Sequence, residues 1–145
     1  MRPINHVLIS AGVTAIFSVW VRSWTAIGAC FLSGIFIDLD HHLDYYLAKK
    51  KIPFNYKKLD HFCKKEREAK IYLFLHSYEF LALLWVTIFL FKLNVIWIGI
   101  AVGCTTHVLC DEVANPLRPL SYFFTYRFLI GFKREYFFKK GYRDE

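Results

Sequence analysis

The sequence lacks the cysteine pairs and the cleavage signal that mark many secreted proteins. Its four cysteines include no pair at CxxC spacing, so in a membrane protein with a cytosolic loop they are expected to be free thiols. They are Cys30, Cys63, Cys104 and Cys110. No small-x-small site precedes the second apolar segment, which argues against an amino-terminal secretory signal peptide. Acidic residues are scarce, 12 against 19 Lys and Arg, so the net charge is +7.

Apolar and aromatic residues, by contrast, dominate the chain, at 56% and 19% of its 145 residues. They concentrate in four segments, 6–21, 24–38, 71–91 and 94–114. Each segment approaches the length of ~20 residues that an α-helix needs to cross the hydrocarbon core of a bilayer. The sequence therefore predicts an all-α fold, a polytopic membrane four-helix bundle, with residues 1–145 forming a single domain.

The distribution of positive charge predicts how this bundle is oriented. Of the 19 Lys and Arg residues, all except Arg22 and Lys92 lie at the amino terminus, in the loop 45–70 or in the tail 115–145. The positive-inside rule places both termini and this basic loop in the cytosol, as in a multi-pass protein of the inner (cytoplasmic) membrane.

The tail combines basic and aromatic residues, a composition that nucleic-acid-binding segments share. Beside membrane helices it predicts instead an interfacial amphipathic C-terminal segment that lies on anionic lipid headgroups, and no nucleic acid is expected as a partner. The expected aromatic anchors are Tyr122, Phe123, Phe124, Tyr126, Phe128 and Phe132.

Ionisable side chains gather at the predicted cytosolic ends of all four helices, most densely in "GIFIDLDHHLDYY". Because the topology brings these ends to one depth, they form one candidate metal site. Its expected ligands are His6, Asp38, His41, His76, His107 and Asp111. Ionisable groups within a bilayer are costly and usually mark function. The outer halves of the helices offer only Ser, Thr and Gly as polar residues, which argues against a transporter.

Residues repeated every four positions predict which face of each helix points into the bundle. Three such stripes are His6–Ser10–Thr14–Ser18, Ala26–Cys30–Gly34–Asp38 and Gly99–Gly103–His107–Asp111–Asn115. Small residues at this spacing let membrane helices approach closely. In the third helix, His76 and Glu79 are expected to share one face at i, i+3. Inward-facing histidines and carboxylates on neighbouring helices are how helical bundles build metal sites.

Each candidate ligand also has a simpler interpretation. Asp38 and Asp40 can merely end a helix at the water boundary, and His107 with Asp111 can be a hydrogen-bonded structural pair. His42 and Asp44 are expected to be solvated or at most to support the site from behind. His61 and Cys63, in the basic loop, are expected to lie on the surface. The coincidence of four helices at one depth favours the metal site over these interpretations.

Three stretches, "FIDLDHH", "LHS" and "THVLCDEVANPLRPL", resemble segments of the inner-membrane metal-dependent hydrolase family that includes a LexA-regulated bacterial member. The matching residues are His6, Asp38, Asp40, His41, His76, Ser77, His107, Asp111 and Pro116. The chain departs from the family pattern at Ile37, where the family often has proline. It departs again at Ile71 and Tyr72, which replace a His-Arg pair. The resemblance implies a metal-dependent hydrolase with its ligands at the matched positions.

Mixed imidazole and carboxylate ligands suit zinc, or else manganese or iron, better than calcium, and one or two divalent ions are expected. Such an ion lowers the pKa of bound water to roughly 7 and polarises phosphoryl oxygens. The leading hypothesis is a membrane-embedded hydrolase of a lipid-linked phosphoester at the cytosolic face. Asp40 or Glu79 is the expected general base, and Arg118 or a lysine of the basic loop is expected to bind the substrate phosphate. The alternative is a non-catalytic protein that binds metal or recruits a partner to the membrane.

Overall fold

The computed structural model describes residues 3–52, 55, 58–59, 61–62 and 70–138. Six α-helices run through these residues: α1 (Pro3–Trp20), α2 (Trp24–Phe36), α3 (Leu39–Lys49), α4 (Tyr78–Leu90), α5 (Val95–Ala114) and α6 (Phe124–Leu129). Two short 3-10 helices, Pro119–Tyr122 and Arg134–Tyr136, flank α6. The β pairing within the described residues is limited to two isolated bridges. The predicted all-α class is therefore confirmed for this part of the chain.

The chain divides into two compact units, each built from two separate segments. The first unit comprises Met1–Ile37 and Glu79–Asn115, and the second comprises Asp38–Tyr78 and Pro116–Glu145. The first unit thus contains α1, α2, α5 and nearly all of α4. The second contains α3, the segment before α4 and the tail. The single domain over 1–145 stays a prediction.

Small residues let α2 and α5 pack against each other in the first unit. A Cβ atom added to Gly99 would collide with the carbonyl oxygen of Ala26, and one added to Gly103 would collide with that of Cys30. These contacts advance by four residues on both helices in the same direction, so α2 and α5 run parallel in a fixed register. The backbone approach predicted from the stripes is confirmed.

The inward-facing stripes are buried over most of their length, as predicted, whereas their end residues Ser18, Asp38 and Asn115 are half-buried. On α1, His6, Ser10 and Thr14 are all buried. Ser10 packs against α2, because a Cβ atom added to Gly34 would lie 2.6 Å from its Oγ atom. Side chains also fix two helix starts: the Ser23 hydroxyl accepts a hydrogen bond from the backbone at the start of α2, and the side chain of Asn94 does the same for α5.

The outer faces of the helices carry large apolar side chains, such as Trp20 and Trp24, which are 84% and 88% exposed. Two helical stretches, Trp24–Lys49 and Val95–Ala114, are apolar and long enough to cross a membrane. The apolar helices Ile4–Trp20 and Tyr78–Leu90 are shorter. The latter has 13 residues, or about 20 Å of helix against a hydrocarbon core of roughly 30 Å.

Helix α3 occupies part of what the sequence predicts as a basic loop, and its polarity is inverted. Asp40 and Asp44 are buried at 3% and 2% exposure, whereas Leu39 and Leu43 on its other side are 55% and 51% exposed. Asp44 is therefore not solvated, which leaves the other predicted role, that it supports the site from behind. The carboxylates of α3 face inward because they accept hydrogen bonds from backbone amides of the second unit.

The predicted helix 71–91 begins only at Tyr78. Residues 71–77 have no regular helix, so the expected shared helical face of His76 and Glu79 is wrong. The apolar composition of the segment suggested a helix. Its backbone groups are instead satisfied by side chains from elsewhere in the second unit, which removes the need for helical hydrogen bonds.

The tail folds back into the second unit rather than presenting all its basic and aromatic residues to a surface. Tyr122, Arg127 and Arg134 are buried, at 3%, 1% and 4% exposure. Tyr122 therefore does not anchor the chain in an interface, and these two arginines are not available to lipid headgroups. Other expected anchors, such as Phe128, are exposed. The basic residues 139–143 lie outside the described residues, as do several of those in the loop 45–70.

The predicted free thiols are confirmed for Cys30, Cys104 and Cys110. Cys63 lies outside the described residues.

Candidate metal centre

Three ligand candidates meet in the first unit, and we call them the buried set: His6, His107 and Asp111. His6 lies at the end of the first turn of α1, while His107 and Asp111 lie one turn apart near the end of α5. Nε2 of His6 is 3.3 Å from Oδ1 of Asp111, and Nε2 of His107 is 3.7 Å from Oδ2. The two imidazole rings stack with their centroids 4.0 Å apart.

A backbone carbonyl fixes the protonation of His107. Its Nδ1 lies 2.7 Å from the carbonyl oxygen of Gly34, on α2. A carbonyl can only accept, so Nδ1 carries the proton, and in the neutral ring Nε2 presents a lone pair. That lone pair faces the carboxylate of Asp111, which is also an acceptor. A cation between the two atoms removes this repulsion, and metal-binding histidines typically donate their other nitrogen in this way.

The spacing of the buried set suits a single metal ion. One ligand atom from each of the three residues lies within 4.8 Å of the others. Two ligands bound to one zinc ion at about 2.0–2.2 Å lie roughly 3 to 3.5 Å apart. The separations of 3.3 Å and 3.7 Å between histidine nitrogens and carboxylate oxygens fall close to that range. The same contact also fits the alternative, a hydrogen-bonded structural pair of His107 and Asp111, which needs no metal.

A second group of three ligand candidates meets in the second unit, and we call it the open set: Asp38, His41 and His76. Oδ1 of Asp38 lies 3.5 Å from Nε2 of His76 and 3.7 Å from Nε2 of His41. One ligand atom from each residue lies within 4.8 Å of the others. Asp38 directly precedes α3, and its side chain does not cap that helix. Two histidines and one carboxylate are again close enough to share an ion.

Asp40 contacts both the imidazole ring and the backbone amide of His76. Its Oδ2 lies 3.4 Å from Nδ1 of His76 and accepts hydrogen bonds from the amides of Leu75 at 2.6 Å and His76 at 3.4 Å. An ionised carboxylate only accepts, so Nδ1 is the protonated nitrogen and Nε2 faces Asp38. A carboxylate that orients a histidine in this manner is a common support of metal sites. The interpretation of Asp40 as a residue that merely ends a helix in water is wrong, because it is buried.

The two sets differ in their access to solvent. In the buried set the side chains are at most 6% exposed. In the open set Asp38 and His41 are 35% and 27% exposed, while His76 is 2% exposed. An ion in the buried set is therefore shielded by protein, whereas one in the open set can exchange water or a ligand. Each of the six predicted metal ligands belongs to one of these two sets. That all six form a single site stays a prediction from the sequence.

The remaining predicted site residues are placed as follows. Glu79 lies in the first turn of α4. Arg118 is half-buried in the second unit, and its Nε donates a hydrogen bond to the carbonyl of Phe138 at 2.8 Å. Part of its guanidinium is thus engaged with the backbone. The general-base roles of Asp40 and Glu79 and the phosphate-binding role of Arg118 stay predictions.

Sequence reasoning missed the burial of three charged residues of the second unit, Asp44, Arg127 and Arg134. Asp44 follows Asp40 by four residues on α3, so the shared helical face of the two carboxylates was a usable signal. Nothing in the sequence distinguishes Arg127 from the other basic residues of the tail. Its burial depends on contacts with a segment about fifty residues earlier.

Comparison of the chain with family models, with curated proteins and with solved structures finds no match.

Proposed function

We propose that the protein is a membrane-embedded metal-dependent hydrolase that acts on a lipid-linked phosphoester at the cytosolic face. The observation that carries the proposal is the open set, in which three ligands converge and two of them are partly exposed. A catalytic metal site typically keeps a position for water or substrate beside three protein ligands. Zinc fits this donor set best, with manganese or iron as alternatives. The family resemblance of the motifs supports the same activity.

The side chains of the chain have distinct tasks in this proposal. When bound, the ion supplies a Lewis acid and a water molecule with a lowered pKa. Asp38, His41 and His76 hold it, and Asp40 keeps the ring of His76 in the tautomer that exposes Nε2. Arg118 is assigned to the phosphate, because its hydrogen bond to the backbone engages only part of its guanidinium group.

The lipid character of the substrate rests on the apolar exterior of the protein. Large apolar residues are exposed along α1, α2 and α4, as expected of helices that face acyl chains. In the second unit, the outward leucines of α3 lead directly to exposed lysines at its end, Lys49, Lys50 and Lys51. Apolar residues beside lysines suit the boundary between acyl chains and anionic headgroups.

The proposal is tested on protein purified in mild detergent. We expect about one or two transition-metal ions per chain by elemental analysis, and metal-dependent hydrolysis within a panel of phospholipids and polyprenyl phosphates. Bound metal with no hydrolysis across the panel would replace the hydrolase by the non-catalytic metal-binding protein. Protein without bound metal, even after reconstitution with zinc, manganese and iron, would refute the metal centre.

Glu79→Gln and Asp40→Asn should separate the two candidates for the general base. Asp40 already orients His76, so Asp40→Asn is expected to weaken metal binding by about 10- to 100-fold, as is typical of residues that support a ligand. A residue that acts only as a base is dispensable for binding. Glu79→Gln is therefore expected to lower turnover with the metal content unchanged. Metal titrations and initial rates distinguish these outcomes, and an active Glu79→Gln variant would leave Asp40 as the base.

The predicted topology places both termini in the cytosol, because nearly all basic residues lie on that side. Alkaline phosphatase fused after residue 145 is expected to be inactive, and a fluorescent protein fused there is expected to fold. The control is the same pair of reporters in the α4–α5 turn, beside Lys92, which should give the opposite result. An active phosphatase at the carboxyl terminus would contradict the orientation and the cytosolic site.

A further inference from the structure

The segment 71–77 carries His76 without a helix or strand to hold it. Amide groups of the segment donate to two buried carboxylates of α3. Asp44 accepts from Tyr72 at 2.9 Å and from Leu73 at 3.2 Å, and Asp40 accepts from Leu75 at 2.6 Å. The amide edge of the segment is thus bound along one face of α3.

Three carbonyl groups of the same segment are bound by one side chain, that of Arg127. Its Nη1 donates to the carbonyl of Tyr72 at 2.6 Å and to that of Leu73, and its Nη2 donates to that of His76. Its Nε donates to the carbonyl of Ser121 at 2.6 Å, which ties the guanidinium to the tail. Arg127 is 1% exposed. The buried guanidinium therefore donates four hydrogen bonds to backbone carbonyls. Three of these carbonyls belong to the segment that carries the ligand candidate His76.

One residue of the segment, Leu73, has an unusual backbone conformation that depends on these contacts. Leu73 has a φ angle of 44°, in the left-handed region that residues with a Cβ atom rarely adopt. Both its amide and its carbonyl are bound, to Asp44 and Arg127 respectively. Such a conformation persists only where the surroundings over-determine it, and these places cluster at functional sites.

We propose that Arg127 is a positioning residue of the metal centre, which with Asp44 clamps the segment 71–77 and so aims His76 at the ion in the open set. This proposal rests on the metal centre of the proposed function and adds to it a residue that touches neither ion nor substrate. The carbonyl of His76 is held by Arg127, and its ring by Asp40. The two contacts together fix both the backbone and the ring of this ligand.

Lysine cannot replace arginine in this role. The guanidinium presents five N–H donors in a planar fork, which can reach carbonyls lying in different directions, whereas an ammonium group presents three donors on one atom. Arg127→Lys keeps the buried charge but cannot keep all four hydrogen bonds. The ligand His76 should then lose its fixed position while the helices of the protein remain folded.

The test is a cobalt titration of the full-length protein in mild detergent, followed by the visible absorption bands, which report ligand number and geometry. His76→Ala defines the part of the spectrum that depends on the open set. Arg127→Lys is expected to weaken cobalt binding in this part by about 10- to 100-fold, as for other residues that orient a ligand. The part of the spectrum that remains in His76→Ala should be unchanged, and so should the helical circular dichroism signal.

Arg134→Lys is the matched control, a second buried arginine of the same unit, with its guanidinium carbon 4.5 Å from the ring centroid of Phe138. A general structural need for buried arginine would affect both variants alike and would shift no His76-dependent band. Asp44→Asn is the second variant, used because Arg127→Lys can reduce the yield of folded protein. It should weaken the same bands, since an amide oxygen accepts fewer hydrogen bonds than a carboxylate.

Wild-type cobalt affinity and spectra in both Arg127→Lys and Asp44→Asn would overturn the clamp while leaving the metal centre in place. Cobalt binding with no phosphoester hydrolysis would overturn the hydrolase while leaving the clamp in place. A wild-type protein that binds no cobalt would overturn both.

Discussion

His107→Ala is expected to lose metal from the buried set, while the protein still inserts in the membrane. His107 contributes Nε2 near Asp111, and the Gly34 carbonyl fixes the tautomer that exposes this nitrogen. Loss of a ligand itself should exceed the ~10- to 100-fold loss of affinity seen when a supporting residue is removed. Insertion depends on apolar length, and alanine is no less hydrophobic than histidine. Metal per chain and hydrolysis rate are measured beside membrane yield.

The control for this prediction is His61→Ala, which removes an exposed histidine of the same chain. It should retain metal and activity. His6→Ala is a second test of the same set, because it deletes a ligand without leaving the carbonyl of Gly34 unpaired; a buried unpaired carbonyl costs about 1–3 kcal/mol. Both His6→Ala and His107→Ala should lose metal, and His107→Ala should lose more stability. Full metal occupancy in both variants would remove the buried set from the metal centre.

Gly103→Ala is expected to destabilise the first unit more than any single exposed substitution. A Cβ atom at this position would collide with the carbonyl oxygen of Cys30 and lie 3.0 Å from the amide nitrogen of Gly34. Both are backbone atoms, so α2 and α5 must move apart. Overpacking of this kind costs typically about 1–3 kcal/mol. The separation would also pull His107 away from the carbonyl that orients it, so the unfolding temperature and the metal content should fall together.

Gly28→Ala is the matched control, a glycine on α2 with open space around the position of an added Cβ atom. Alanine is the better helix former by about 1 kcal/mol, so this variant should be as stable as the wild type or slightly more stable. The contrast separates helix propensity from packing, because propensity alone favours alanine at both positions. Thermal unfolding followed by circular dichroism in detergent measures the difference. Equal melting temperatures for both variants would show that α2 and α5 do not approach as closely as described.

The inward faces of α1, α2 and α5 could be predicted from the sequence, because helical periodicity alone places residues four apart on one face. His6, Gly34, Gly103 and His107 all lie where their stripes predict. The metal-ligand types could likewise be recognised, since histidine and aspartate are rarely placed within apolar helices without a function. The grouping of His107 with Asp111 needed no more than their i, i+4 spacing.

The tertiary structure alone decided how His76 is held. Residues 71–77 have the composition of a helix, but their amides and carbonyls are bound by Asp40, Asp44 and Arg127 from elsewhere in the second unit. Local sequence cannot predict such pairing, because each of these hydrogen bonds joins residues that lie 28 or more positions apart. The stripes of the helices followed from spacing within one segment. Arg127 and the carboxylates of α3 are buried because they form hydrogen bonds with backbone groups that lie far away in the sequence. Only the folded chain shows which backbone groups these are.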